Sequence, residues 1–382
     1  MPKSRTIFLI AGEPSGDGRG AELVRALKKE KPHLSFEGLG GPKMKEAGVK
    51  LLDDLTSLSA IGFGDVLRKY FQIREIFYKA LKYVNDLKPS CIVLIDYPGF
   101  NLRFAKKINK KFPVLYYVSP QIWAWGKRRI HTIRRVVHHM MVLFRFEESM
   151  YREAGIPVTW VGHPIVEPES THKSKSEIKK EFQFSEDEKI ISLLPGSREA
   201  EVRRILPIAL ETASILSPKL PKVSFLLSES SNVPEDLYNS ILDRFQGKIR
   251  IHRARDRMHD ILTVSDFAIV ASGTATLETA LSLTPFVILY KAAWSTYFLG
   301  KRLIRIPFIG MVNIIGGKKI ISEYIQENAV PEKIVAEVLR ILKDEVLRSN
   351  MLRELARVKE KLGPPGASQR AAETILKILS EH

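Results

Sequence analysis

A chain of 382 residues with 45% hydrophobic and 27% charged residues has globular composition and the length of two domains, which excludes a disordered or fibrous protein. Its 60 Lys and Arg against 43 Asp and Glu leave a formal net charge of +17, an excess that calls for an anionic partner or surface. The single cysteine, Cys91, excludes an intrachain disulfide and a cysteine zinc cluster, and suits a reducing compartment.

In chain order, short apolar runs predict buried strands over residues 7–11, 91–95, 114–118, 140–144 and 158–161. Between them lie helical patterns such as 20–29 and 65–87. A second series of strands is expected over 190–194, 223–227, 249–252, 267–271 and 286–290. Strand and helix in alternation imply parallel sheets covered on both faces. The expected fold class is therefore α/β, with two doubly wound domains joined near Gly162, His163 and Pro164 and the polar stretch 167–175. A last, short helix is expected from about Ala367, after Gly363-Pro364-Pro365-Gly366. The apolar run 7–11 is too short for a secretory signal, and no run reaches the ~18 residues of a spanning helix. The expectation is a soluble or peripheral protein.

The charge is regional. Residues 101–146 hold eleven basic residues and no carboxylate, residues 279–322 six more and again no carboxylate, and the rest of the chain is neutral overall. Candidate anions are nucleic acid, a nucleotide diphosphate or an acidic lipid surface. No RNP1 box, zinc finger or basic-zipper pattern is present. A solvated basic face would account for the scattered lysines, but both tracts also contain aromatics, namely Trp123, Trp125, Trp294, Tyr297 and Phe298, a mixture that suggests an interface.

In open parallel sheets, ligands sit at the carboxyl ends of the strands, so the loops after the strands are the places to look. After the first strand comes Gly12-Glu13-Pro14-Ser15-Gly16-Asp17-Gly18-Arg19-Gly20, either an anion-tolerant turn or a tight turn with an acidic cap. Asp96 follows 91–95 directly and is either a general base or a helix cap. Ser197 and Arg198, in Leu194-Pro195-Gly196-Ser197-Arg198, offer a hydroxyl cap and a guanidinium suited to a diphosphate, or an arginine that pairs with Glu199 or Glu201. In Ala271-Ser272-Gly273-Thr274-Ala275-Thr276-Leu277-Glu278, small and hydroxyl residues open a helix as a phosphate site requires, and Glu278 can accept from a ribose diol or complement the helix dipole. The histidines form no zinc set, and HExxH, P-loop, DFG and GxSxG motifs are absent. The 65–87 helix carries a wide apolar stripe that fits either core packing or a helix lying on lipid. Its candidate acyl or membrane contacts are Phe63, Val66, Leu67, Tyr70, Phe71, Ile73 and Phe77.

Through nearly its whole length the sequence resembles the lipid-A-disaccharide synthases. The resemblance rests on Ala11–Asp17, Gly40-Gly41-Pro42, the Ile95-Asp96-Tyr97-Pro98-Gly99-Phe100-Asn101 run, and Tyr117-Val118-Ser119-Pro120-Gln121-Ile122-Trp123-Ala124-Trp125. It continues in Val161-Gly162-His163, in the 193–198 and 271–278 runs, and in the loop of Asn313. It implies a GT-B architecture of two Rossmann-like domains facing across a cleft: 1–164 on the acceptor and membrane side, 165–362 binding the UDP-sugar, and a 363–382 helix returning to the first domain. It further implies inverting transfer of 2,3-diacylglucosamine from its UDP derivative to the 6-hydroxyl of 2,3-diacylglucosamine 1-phosphate, with no cofactor and no metal. Asp96 is then the expected base, with Glu13 as the alternative, and Glu13, Ser15 and Asp17 shape the acceptor side. Arg198, Ser197, Ser272, Gly273 and Thr274 would face the diphosphate, Glu278 the ribose, and Asn313 would complete the donor pocket. The implied location is the cytoplasmic face of the inner membrane. Implied partners are the two lipid substrates and an anionic phospholipid surface but no nucleic acid, with homodimerisation left open. The rival readings are another GT-B enzyme using UDP-N-acetylglucosamine, of peptidoglycan-transferase or 2-epimerase type, and a non-catalytic nucleic-acid-binding protein.

Overall fold

The computed structural model describes residues 5–60, 66–167, 173–293 and 307–381. The chain divides into two compact units, residues 1–167 with 362–382, and residues 168–361.

The first unit is built on a seven-stranded sheet of β1 (Thr6–Ala11), β2 (Ser35–Gly40), β3 (Lys50–Asp54), β4 (Cys91–Ile95), β5 (Val114–Tyr117), β6 (His139–Val142) and β7 (Val158–Trp160), all parallel, in the order β3-β2-β1-β4-β5-β6-β7. β4 and β5 are buried at every residue and β1 at all but its first. That is why they read as continuous apolar runs rather than alternating ones. β2 and β3 escape such a reading. β2 contains Glu37 and two glycines, and a Cβ on Gly38 would lie 2.0 Å from the Leu9 carbonyl oxygen of β1, so only glycine allows that approach. β3 is a half-exposed edge with a register shift against β2.

Several strand ends depart from expectation by a residue or two, and at β5 and β6 the reasons are local. β5 stops at Tyr117 because Val118 turns into the left-handed region, at φ 65°. β6 stops at Val142, so that Phe144 stands at the N-cap of helix Arg145–Glu153. The first helix is longer than expected and runs Pro14–Glu30, with Pro14 in its first turn, where a proline costs no hydrogen bond. The expected Gly12–Gly20 loop is therefore mostly helix. The last helix, Ala367–Glu381, packs on Pro14–Glu30. Its start is capped by Glu167, whose Oε1 accepts from the amides of Gly366 and Ala367 at 2.8 and 2.9 Å.

The second unit has a six-stranded parallel sheet in the order β10-β9-β8-β11-β12-β13. Its strands are β8 (Lys189–Leu194), β9 (Val223–Glu229), β10 (Ile251–Arg255), β11 (Phe267–Ala271), β12 (Phe286–Tyr290) and β13 (Glu323–Ile325). β10 lies later than the 249–252 expectation because Arg253 and Arg255 pair in register with Leu227 and Glu229 of β9. Arg253 and Arg255 also form ion pairs with Glu229. β13 is a three-residue edge, too short to show a period.

Each sheet reverses its winding once, between β1 and β4 in the first unit and between β8 and β11 in the second. At such a point the loops after the two central strands diverge and leave a crevice for a ligand.

Candidate functional site

In the first unit the switch point brings together the residues after β1 and β4, since Ala11 and Ile95 are paired in register. Asp96 and Tyr97 both take the left-handed conformation, at φ 48° and 47°. Two consecutive non-glycine residues there carry strain, and strain of this kind gathers at working sites. The surroundings hold it in place. The Asp96 amide donates to the Tyr117 carbonyl at 3.1 Å, while its carbonyl accepts from Tyr116 Oη at 2.6 Å and Asn101 Nδ2 at 2.7 Å. Tyr97 lies flat over Gly12, where a Cβ would meet the ring at 2.2 Å, so Gly12 is required by close approach. Burial raises the Asp96 carboxyl above its ordinary range, opposed by the positive charge of Arg19. The result is a strand-end carboxylate more basic than usual.

Glu13 and Ser15 stand exposed at the start of the Pro14–Glu30 helix. Asp17 does not join them. It is buried, and its carboxylate accepts from the amides of Gly41, Lys43 and Met44 at 2.8–3.0 Å, which braces the turn after β2. Arg19 was not among the residues expected. With the helix begun at Pro14, Ser15 and Arg19 share a face at i and i+4, and that spacing was the missed signal. The charge of Arg19 also acts on His163, although burial is the larger cause of that ring's fall to about 3. His163 is therefore neutral, its Nδ1 accepting from the Ile165 amide at 3.1 Å, which caps the short turn Pro164–Val166.

The loop that follows β5 hangs on one buried carboxyl. Glu147 Oε1 accepts from Ser119 Oγ at 2.6 Å and Trp123 Nε1 at 3.1 Å, and Oε2 from the Phe144 amide at 3.3 Å. Burial pushes Glu147 up to about 7, with these hydrogen bonds opposing the shift. Trp125, two residues on, is 43% exposed and stacked by the Arg129 guanidinium at 4.2 Å. Glu147→Ala would strand two side-chain donors and one amide. It is expected to cost about 3 kcal/mol, measured by urea unfolding followed through tryptophan fluorescence. Because the folded state holds a proton that an unfolded glutamate has lost, wild-type stability should decline as pH rises from about 4.5 to about 7. Glu147→Gln should flatten that decline.

The wide apolar stripe of helix Val66–Leu87 is divided by the fold. Ile76, Ala80 and Val84 are in the core, whereas Tyr70 and Phe71 are more than half exposed. Ile73 and Phe77 lie between, packed against the core cluster. Phe63 and the side chains of Val66 and Leu67 lie outside the described residues.

In the second unit the switch point forms a cavity of about 600 Å³ lined by Gly196, Ser197, Arg198, Ser272, Gly273, Thr274 and Glu278. The fold thus brings together all of the expected donor-side residues except Asn313. Gly196 sits at φ 106°, and a Cβ there would meet Glu201 Oε2 at 2.4 Å. Glu201 Oε1 accepts from Arg198 Nη1 at 3.0 Å, the pairing weighed from sequence as the alternative. Since the Arg198 side chain is 81% exposed, the pair holds it loosely. The helix after the Ser272–Thr274 turn is only Ala275–Leu281, so the principal positive charge on this cavity is Arg198 rather than a long helix dipole. Glu229, Ser230, Asp256 and Met258 also line it. They come from the ends of β9 and β10 and their loops, where no sequence motif marked them. Glu229 is buried and ion-paired with Arg253 and Arg255.

Asn313 is fully buried with every hydrogen-bonding position filled. Its Nδ2 donates to the Ile321 carbonyl and Glu323 Oε1, both at 2.8 Å, and its Oδ1 accepts from the amides of Ile320 and Ile321. It ties helix Met311–Gly316 to β13 and is not among the residues lining the cavity. Trp294, Tyr297 and Phe298 lie outside the described residues.

The chain is similar in sequence and in fold to known proteins. The family model described as lipid-A-disaccharide synthetase matches residues 7–378. The chain is 40% identical over 380 residues to the lipid-A-disaccharide synthase of Syntrophus aciditrophicus, covering 99% of each, and 38% identical to that of Geobacter sulfurreducens, covering 99% of this chain and 98% of the other. Among solved structures it is similar in fold to the UDP-GlcNAc 2-epimerase of Neisseria meningitidis, with TM-score 0.63, 12% identity and coverage of 97% and 100%. It is also similar to MurG of Acinetobacter baumannii, with TM-score 0.57, 16% identity and coverage of 98% and 99%. These likenesses place the two sheets in the GT-B fold.

Proposed function

We infer the reaction from one premise: the chain belongs to the lipid-A-disaccharide synthetase family. It is a glycosyltransferase of lipid A assembly. The donor is UDP-2,3-diacylglucosamine and the acceptor 2,3-diacylglucosamine 1-phosphate. The acceptor 6-hydroxyl attacks the anomeric carbon, the bond from that carbon to the UDP oxygen breaks on the opposite face, and the hydroxyl proton passes to a carboxylate. The products are the β-1,6 disaccharide 1-phosphate and UDP.

The observation that carries this reading is that a basic strand-end carboxylate and an arginine-bearing cavity each occupy the switch point of their own sheet. Asp96 is the base, because its raised carboxyl holds a proton better than an ordinary aspartate. Arg198, with Ser197 and the Ser272–Thr274 turn, neutralises the charge that develops on departing UDP. Glu278 receives the ribose. Glu13 and Ser15 border the acceptor, while Asp17 and Asn313 act through the segments that they brace. Tyr70, Phe71, Ile73 and Phe77 meet acyl chains or the surface of an anionic membrane, from which a peripheral enzyme would draw both substrates. No helix among the described residues is long and apolar enough to cross a membrane.

Purified protein given the two substrates in detergent micelles should release one UDP per disaccharide formed. Folded protein that yields no disaccharide would sink the reading. Turnover of UDP-N-acetylglucosamine instead would favour the epimerase or peptidoglycan alternative.

A further inference from the structure

Beside Asp96, helices Val66–Leu87 and Pro98–Ile108 enclose a groove of about 540 Å³, a volume typical of small-ligand sites. Its floor is apolar and aromatic: Ile73, Phe77 and Phe100, with the Phe77 ring centroid 5.2 Å from Phe100 and 5.8 Å from Phe104. Its rim is cationic. Arg103, Lys106 and Lys107 stand at i, i+3 and i+4 on one face of the second helix, and Arg74 lines the groove from the first. Among the described residues none of the four forms an ion pair, and residues 101–146 contain no carboxylate to offer one.

A surface explanation covers only part of this. Lys106 and Lys107 fall in the last turn of their helix, where cations complement the dipole. Arg103 lies before that turn, and Arg74 is on the other helix beside Tyr78, 5.8 Å from its ring centroid. Four cations converging over an aromatic floor match one ligand chemistry, an amphiphile carrying a phosphate monoester. The groove also runs on to Tyr97 and Gly99, next to Asp96, and a Cβ on Gly99 would meet nothing within 4 Å, so that end is open. The same groove is thus lined both by the four cations and by the residues next to Asp96.

We propose that this groove is the acceptor's phosphate-recognition site: Arg74, Arg103, Lys106 and Lys107 hold the phosphate of the acylated sugar while an acyl chain lies on the Ile73–Phe77–Phe100 floor. The assignment rests on the reaction proposed above and adds what selects the acceptor. Charge-assisted contacts of this kind are strong and lost when the phosphate is absent.

The test compares diacylglucosamine 1-phosphate with its dephosphorylated form, at equal concentration in the same detergent micelles, for direct binding and for acceptor KM. Wild type should prefer the phosphorylated form by about tenfold or more. In the triple variant Arg103→Ala, Lys106→Ala, Lys107→Ala, and in Arg103→Glu alone, the preference should collapse toward one with UDP affinity unchanged. Equal binding of the two forms by wild type, or an intact preference in both variants, overturns the proposal. If instead only binding to phosphatidylglycerol-containing vesicles falls, the rim serves the membrane and the proposal fails. A wild type that keeps the preference but makes no disaccharide would overturn the reaction while leaving the groove standing.

Discussion

Asp96→Asn is expected to lower turnover about a thousandfold, within the range that a positioned general base contributes, while the fold survives. Donor and acceptor KM should change little, because the amide keeps the shape of the carboxylate and loses only its basicity. The pH profile gives a second readout. The base must be ionised, and burial raises the Asp96 carboxyl. The acidic limb of kcat/KM should therefore lie above the ordinary aspartate range, with activity lost as pH falls through it, and that limb should vanish in the variant. Stability should move the other way. A carboxyl raised in the folded state favours folding while protonated and costs stability once ionised at neutral pH. Asparagine carries no charge there and tolerates the left-handed backbone, so the thermal midpoint should be unchanged or higher. Inactivity joined to undiminished stability marks a residue retained for chemistry rather than for folding. Wild-type turnover in Asp96→Asn would remove it as the base and direct the same substitution test to Glu13.

Arg198→Ala is expected to lower kcat/KM by about a hundredfold or more and to weaken UDP binding, since it removes the positive charge that lines the cavity proposed for the leaving group. Arg198→Lys should recover only part of this, because an ammonium lacks the bidentate fork. The alternative reading of Arg198, as half of a surface ion pair with Glu201, makes opposite demands. At 81% side-chain exposure that pair contributes little to stability, so an effect confined to folding would be small and activity would be spared. Glu201→Gln separates the two further. Releasing Arg198 from its partner at 3.0 Å should leave UDP affinity unchanged or tighter, as titration calorimetry with UDP alone would register. Weaker UDP binding in Glu201→Gln would count against Arg198 as a phosphate ligand.

These expectations rest unevenly on sequence. Strands such as β1, β4, β5, β8 and β11 are legible because parallel strands covered on both faces must be apolar throughout. The loops at their ends are legible for the same reason: Asp96 and Ser272–Thr274 follow such a run directly, and Arg198 follows β8 after the Pro195-Gly196-Ser197 turn. Arg19 was hidden by the glycines of residues 12–20, which read as a loop although the helix begins at Pro14. Asp17 and Asn313 looked like site residues because polar side chains in loops usually are available. The fold instead turns both onto backbone amides, and Asn313 has no hydrogen-bonding position left.

The sequence by itself determined the α/β class, the family, and the regional nature of the +17 charge, because these depend on local apolar period, motif order and composition. Only the tertiary structure decided which charges gather. Periodicity places Arg103, Lys106 and Lys107 on one helix face, but it cannot say that Arg74, some thirty residues earlier, lines the same groove. It gives Val66–Leu87 an apolar stripe, but not the division into a buried Ile76–Ala80–Val84 edge and an exposed Tyr70 and Phe71. Both follow from how one element packs against another, a property of long-range contacts that no local pattern encodes.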